Sequence, residues 1–143
     1  MLTRFLFLFA FLAIGLTSCS KEKQVERQLI KKDGKWNIKS VNYKYYVGSE
    51  QQAAESYPAA GTMEFKKGGS YMLNISFGGG VYETSSGTWT NTEDKITVIA
   101  DGEATVLKIT DGPKKGKMVL EQTDSSPSTN EKEVYTFNLE RAD

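Results

Sequence analysis

From Lys35 to the C-terminus, apolar and polar residues alternate with a period of two, interrupted at short intervals by glycine, asparagine or aspartate. Successive side chains of a strand point to opposite faces, so this pattern builds sheets with one buried face and leaves little room for helices. The clearest run is Tyr71 to Phe77, where Tyr71, Leu73, Ile75 and Phe77 share one face and Met72, Asn74 and Ser76 the other. Lys35 to Val47 alternates with one slip of phase: Trp36 and Ile38 face inward, then Val41, Tyr43 and Tyr45 take over, as a bulge or sharp bend requires. Thr62 to Lys66 (Met63, Phe65), Val81 to Thr90 (Trp89), Lys95 to Ala100 (Ile96, Val98), Thr105 to Thr110 (Leu107, Ile109), Lys117 to Gln122 (Met118, Leu120) and Val134 to Glu140 (Tyr135, Phe137, Leu139) complete the set. Lys67-Gly68-Gly69, Gly78-Gly79-Gly80, Asn91 to Asp94, Asp101-Gly102 and Asp111-Gly112-Pro113 read as the turns between them. Gly48 to Ala60 and Thr123 to Lys132 lack alternation and read as loops. The expected fold is all-β, an eight-stranded antiparallel up-and-down β-barrel whose closure hides its edges, with a β-sandwich as the alternative.

The N-terminus follows different rules. Arg4 precedes an apolar run from Phe5 to Leu16, which has the length of a signal-peptide core and is short of the roughly 20 residues of a spanning helix. Leu16-Thr17-Ser18-Cys19 then sets the only cysteine of the chain behind an aliphatic and two small residues. This segment resembles the lipobox of bacterial lipoproteins. The resemblance implies a signal peptide over 1–18 and lipidation of Cys19, with a diacylglycerol on sulfur and a further acyl chain such as palmitate on the freed amine. Two or more chains anchor stably where one does not. The alternative is ordinary secretory cleavage near Ser18, with Cys19 an incidental thiol. With one cysteine no disulfide forms within the chain.

Residues 19–33 then form a charged tether or short helix. Ser20 to about Lys23 reads as tether and Gln24 to Lys32 as helix or turn, with Val25, Leu29 and Ile30 at helical spacing and Asp33-Gly34 ending it. Such a segment serves as a spacer, as a plug over one end of the fold, or as both. The barrel domain spans 34–143.

Gly34-Lys35-Trp36, Gly61-Thr62-Met63-Glu64-Phe65 with Gly69-Ser70-Tyr71, Gly87-Thr88-Trp89 and Tyr135-Thr136-Phe137-Asn138-Leu139 occur in this order and spacing. Together they resemble the small lipocalin-like lipoproteins of Bacteroidetes. The resemblance implies an eight-stranded barrel closed at one end near Trp36, and implies no particular ligand. The chain departs from secreted lipocalins in lacking cysteine pairs. The arginine that packs on the first-strand tryptophan in lipocalins has no assigned counterpart, with Arg141 expected just past the last strand.

Charge and composition narrow the chemistry. Without Arg4, 17 basic residues face 18 acidic ones, a balance unsuited to nucleic acid, which demands clustered positive charge. The chain has no histidine, which removes imidazole acid–base chemistry and Ser-His-Asp systems. The acidic pairs Glu93-Asp94, Asp101 with Glu103, and Glu131 with Glu133 read as decoration of turns and strand ends. The glycine-rich stretches precede strands, unlike the phosphate-binding loop that opens a helix. No metal, cofactor or catalytic residue is expected, and the chain reads as no enzyme.

What remains is an aromatic set on the inward face. Trp36, Tyr71, Phe77, Trp89 and Tyr135 are the candidate ligand-binding residues. An eight-stranded barrel is just wide enough either to be filled by side chains or to hold one small ligand, and both readings stay open. The expected function is that of a lipid-anchored cell-envelope protein, at the outer membrane, binding a small hydrophobic molecule. The alternative is a non-catalytic envelope accessory protein. Its barrel is then a filled scaffold, and its Gly48–Ala60 and Thr123–Lys132 loops contact another envelope protein.

Overall fold

The computed structural model describes residues 21–143; Cys19 and the leader before it lie outside the described residues. Eight antiparallel strands close in sequence order: β1 (Lys35–Val47), β2 (Glu50–Phe65), β3 (Ser70–Ile75), β4 (Glu83–Asn91), β5 (Lys95–Ala100), β6 (Glu103–Lys114), β7 (Lys117–Ser126) and β8 (Glu131–Arg141). β8 pairs back onto β1, so the expected all-β up-and-down barrel is the fold observed. The phase slip in β1 is a bulge. Between Ile38 and Ser40 the register shifts against both neighbours, and Val41 takes the inward side that Trp36 and Ile38 hold below it.

Several expected boundaries are corrected. The Gly48–Ala60 loop is most of β2, paired with β1 from Val47↔Glu50 onward, leaving a tight turn at Gly48 and Ser49. Most of this stretch faces solvent, so no burial period marks it; its order comes from the β1 backbone beside it. Likewise Thr123 to Ser126 extends β7 and Glu131 to Lys132 extends β8, with only residues 127–130 turning. Asp111-Gly112-Pro113 is an irregular part of β6 rather than a turn, which falls instead at Lys115 and Gly116. β3 ends at Ile75, before Phe77, which lies in the bend leading to β4 and is 39% exposed. Arg141, expected beyond the last strand, is its final residue.

One end of the barrel is closed. A helix over residues 21–30 already includes most of the expected tether, and a 3-10 turn (Lys32–Gly34) links it to β1. Leu29 is fully buried, with Val25 and Ile30 packed against the same core. Gly34 has φ 68°, and a Cβ there would strike the Phe65 carbonyl, so only glycine fits this junction. Above it Trp36, Ile38, Met63, Phe65, Met118 and Leu120 fill the interior.

Candidate functional site

The aromatic residues fall into two groups, one at each end of the barrel. At the closed end Trp36 is fully buried and its indole Nε1 donates to the Leu29 carbonyl at 3.1 Å. The Arg141 guanidinium lies over the Trp36 ring, 4.8 Å from its centroid, and donates to the Gln28 carbonyl at 2.8 Å and to Gln28 Oε1 at 3.0 Å. Helix and last strand are thereby joined across the tryptophan. Phe65 packs against Tyr71 at 5.7 Å and against Trp89 at 5.5 Å, and Trp89 Nε1 donates to the Lys66 carbonyl at 3.0 Å. Tyr71 and Trp89 are only 5% and 6% exposed. Three of the five candidate ligand-binding residues, Trp36, Tyr71 and Trp89, therefore stand in packed core.

The open end is built differently because the strands differ in length. β2 meets β3 only from Gly61↔Ile75 to Phe65↔Tyr71, and β7 meets β6 no further toward the open end than Glu121↔Lys108. Beyond those points β7, β8, β1 and β2 continue as a four-stranded lip, its tip tied by Gly48 N–H donating to the Asn130 carbonyl at 2.8 Å. Alternation places Tyr43 and Tyr45 of β1, Glu55 and Tyr57 of β2, Asp124 of β7, and Glu131, Glu133 and Tyr135 of β8 on its inner side.

Rings line this mouth in a continuous row. Tyr43 lies 5.1 Å from Tyr135, Tyr135 lies 6.5 Å from Phe77, and Phe77 meets Tyr57 edge-on at 5.3 Å. These spacings suit aromatic pairs. The remaining two candidates, Phe77 and Tyr135, thus sit here, and the bend after β3 carries Phe77 to the rim. Each hydroxyl of three tyrosines donates to a carboxylate: Tyr43 to Glu133 at 2.8 Å, Tyr45 to Glu131 at 2.6 Å, and Tyr57 to Glu55. Thr129 adds a bond to Glu131 at 2.6 Å.

These contacts raise the tyrosines and lower a carboxylate that accepts from them. The bond to Glu133, followed by desolvation, pushes Tyr43 up to about 12. Tyr45 and Tyr57 are raised first by their bonds to Glu131 and Glu55, and Tyr135 is raised first by burial. Glu131 is lowered by its bonds from Thr129 and Tyr45. In the core, burial alone pushes Tyr71 up to about 12. At neutral pH the mouth thus holds protonated phenols beside acidic groups; a cleft of about 340 Å³ at its β7–β8 side is bordered by Tyr45, Asp124, Glu131 and Glu133 together with Ser125, Ser126 and Lys132, and the row from Tyr43 to Tyr57 lies beside it rather than on its border.

Tyr43, Tyr45, Tyr57 and Glu55 were not among the candidates from sequence. A usable signal existed in Glu131 and Glu133: spaced by two, they share a strand face with Tyr135 once β8 is extended toward its N-terminal end. Glu93-Asp94 and Asp101 stay in turns and Glu103 opens β6; Thr92 Oγ1 donates to Asp94 at 2.9 Å. Among the described residues no three acidic, histidine or cysteine side chains converge as metal ligands.

No protein-family model and no curated protein matches this chain. Among solved structures it is similar to an uncharacterized protein from Bacteroides eggerthii DSM 20697, at 13% identity and a TM-score of 0.45, over 76% of this chain and 97% of that one. Likeness at that level leaves the functional reading to the geometry of the mouth.

Proposed function

We propose that this chain is a lipid-anchored protein of the bacterial cell envelope, held at the outer membrane through an acylated Cys19. Its barrel binds a small molecule at the open end without transforming it. The observation that supports binding is the row of rings from Tyr43 through Tyr135 and Phe77 to Tyr57, set in a mouth that β3–β6 do not cover. A packed floor beneath an aromatic rim suits a ligand seated at the mouth, with its apolar body against the rings. The absence of histidine and the structural role of the hydroxyl–carboxylate pairs favour binding over catalysis.

Native mass spectrometry of the full chain, extracted from its own envelope and released from detergent micelles, tests this. An added mass that is lost on denaturation and absent from a Phe77→Ala, Tyr135→Ala variant is the expected result. A bare chain that stays bare after exposure to envelope extract overturns it. One feature favours the accessory-protein reading: residues 50–60 of β2 have β1 on one side and, among the described residues, no strand on the other, where β3 pairs only from Gly61 onward. Such an edge accepts an extended segment of a partner, and a protein retained by the bare chain would support that reading instead.

A further inference from the structure

The inner side of this mouth carries four carboxylates, while its donors Gln122 and Ser126 are already bonded to Asp124 and Ser128, and that asymmetry selects a ligand class. We propose that the molecule taken at the open end is an organic cation, a primary or quaternary ammonium carried on an apolar body. This rests on the reading of the open end as a binding site.

The rings carry the first part of the argument. With the hydroxyls of Tyr43, Tyr45 and Tyr57 committed to Glu133, Glu131 and Glu55, what these tyrosines offer the mouth is ring surface rather than free O–H donors, Tyr45 on the border of the cleft and the other two beside it. Ring faces carry a negative quadrupole and attract ammonium groups; aromatic surroundings are the recurring answer to a cation that must lose water. An apolar body gains from the same rings through Phe77 and Tyr135.

The carboxylates carry the second part, because they sit among those rings rather than apart from them. Glu55, Asp124, Glu131 and Glu133 share the inner side of the lip, and none lies within ion-pair distance of a lysine or arginine among the described residues. The basic residue bordering the cleft, Lys132, belongs to the alternate, outer side of β8, where its Nζ lies 4.6 Å over the Tyr46 ring. Each carboxylate keeps lone pairs beyond those its partners use, Glu131 accepting from both Tyr45 and Thr129 and Asp124 from the Gln122 amide. A ligand that supplies N–H donors or positive charge answers both features; an anion meets repulsion, and a neutral acceptor finds few donors.

Calorimetric titration of the full chain in non-ionic micelles, with three probes of one aromatic body, tests the proposal: 2-phenylethylammonium, 2-phenylethanol and 3-phenylpropanoate at neutral pH. The cation is expected to bind about tenfold tighter than the alcohol, and the anion most weakly. Glu131→Gln with Glu133→Gln should remove that advantage while leaving the alcohol within about twofold, and added salt should weaken the cation alone. Thermal unfolding of the double variant confirms that it folds; if it does not, Asp124→Asn serves in its place. If the alcohol matches the cation, or the charge variants leave the cation unaffected, the charge inference is overturned while the mouth remains a binding site. If none of the three probes binds, the binding reading falls as well, and this inference with it.

Discussion

Arg141 shows how much one residue joins. Its guanidinium covers the Trp36 ring and holds two oxygens of Gln28, so it ties the last strand to the first and to the helix that closes the barrel. A planar fork can stack and donate at once, whereas an ammonium cannot. Arg141→Ala should cost about 1–2 kcal/mol in denaturant-unfolding free energy, and Arg141→Lys should recover roughly half of it or less. Full recovery by lysine would mean that charge, not stacking, is what matters there. Tyr71 carries a pH signature: burial raises its folded value from 10.0 to about 12. Above the unfolded value the unfolded chain gives up this proton first, so it binds fewer protons than the native chain and stability falls as pH rises. Melting temperatures should therefore decline between roughly pH 10 and 12, and Tyr71→Phe should flatten part of that decline. The inward placement of Trp36 and Tyr71 was readable from alternation; the stacking of Arg141 was not, because it depends on where the last strand, 105 positions further along the chain than Trp36, ends.

Among the elements, the β1–β2 hairpin departs most from expectation. β2 runs from Glu50 to Phe65, and its first eleven residues carry no hydrophobic period because their side chains mostly meet water. Pro58 is tolerated there because, among the described residues, that stretch has no strand on its second side. Where strands do pack closely, side-chain size becomes decisive. Gly87 of β4 pairs with Ala100, and a Cβ on it would collide with the Ile99 carbonyl of β5. Gly87→Ala should cost about 3 kcal/mol or more, seen as a shifted denaturant midpoint, while the neighbouring exposed Thr88→Ala should stay within about 0.5 kcal/mol. Equal effects would show that β4 and β5 are free to part. The helix over residues 21–30 takes in the stretch expected as tether as well as the apolar spacing of Val25, Leu29 and Ile30, which left helix or turn open, and burial of Leu29 makes it a plug. Leu29→Ala should cost about 2–4 kcal/mol by the same measurement.

At the scale of the molecule, a packed floor at the helix end is set against an aromatic, acidic mouth at the other. If the lipid on Cys19 is the anchor, Cys19→Ser should move the chain from the membrane fraction to the soluble one and abolish labelling by a palmitate analogue, since acyl chains supply the attachment. Retention of the serine variant after a carbonate wash would point to another attachment. The sequence alone determined an all-β antiparallel fold, because a period of two broken by turns admits little else; that the sheet closes as a barrel rather than stacking as a sandwich was decided by β8 pairing back onto β1. It also determined the inward residues of most strands and the bulge near Lys39, since side-chain parity is a local property. Tertiary structure alone decided where strands end, because exposed backbone pairs without leaving a mark in side-chain polarity. It alone decided that Trp36, Tyr71 and Trp89 fill the core while Tyr43, Tyr57, Phe77 and Tyr135 gather at the rim. The rim joins β1, β2 and β8 with the bend after β3, and their adjacency exists only once the barrel has closed and its strands have stopped at different heights.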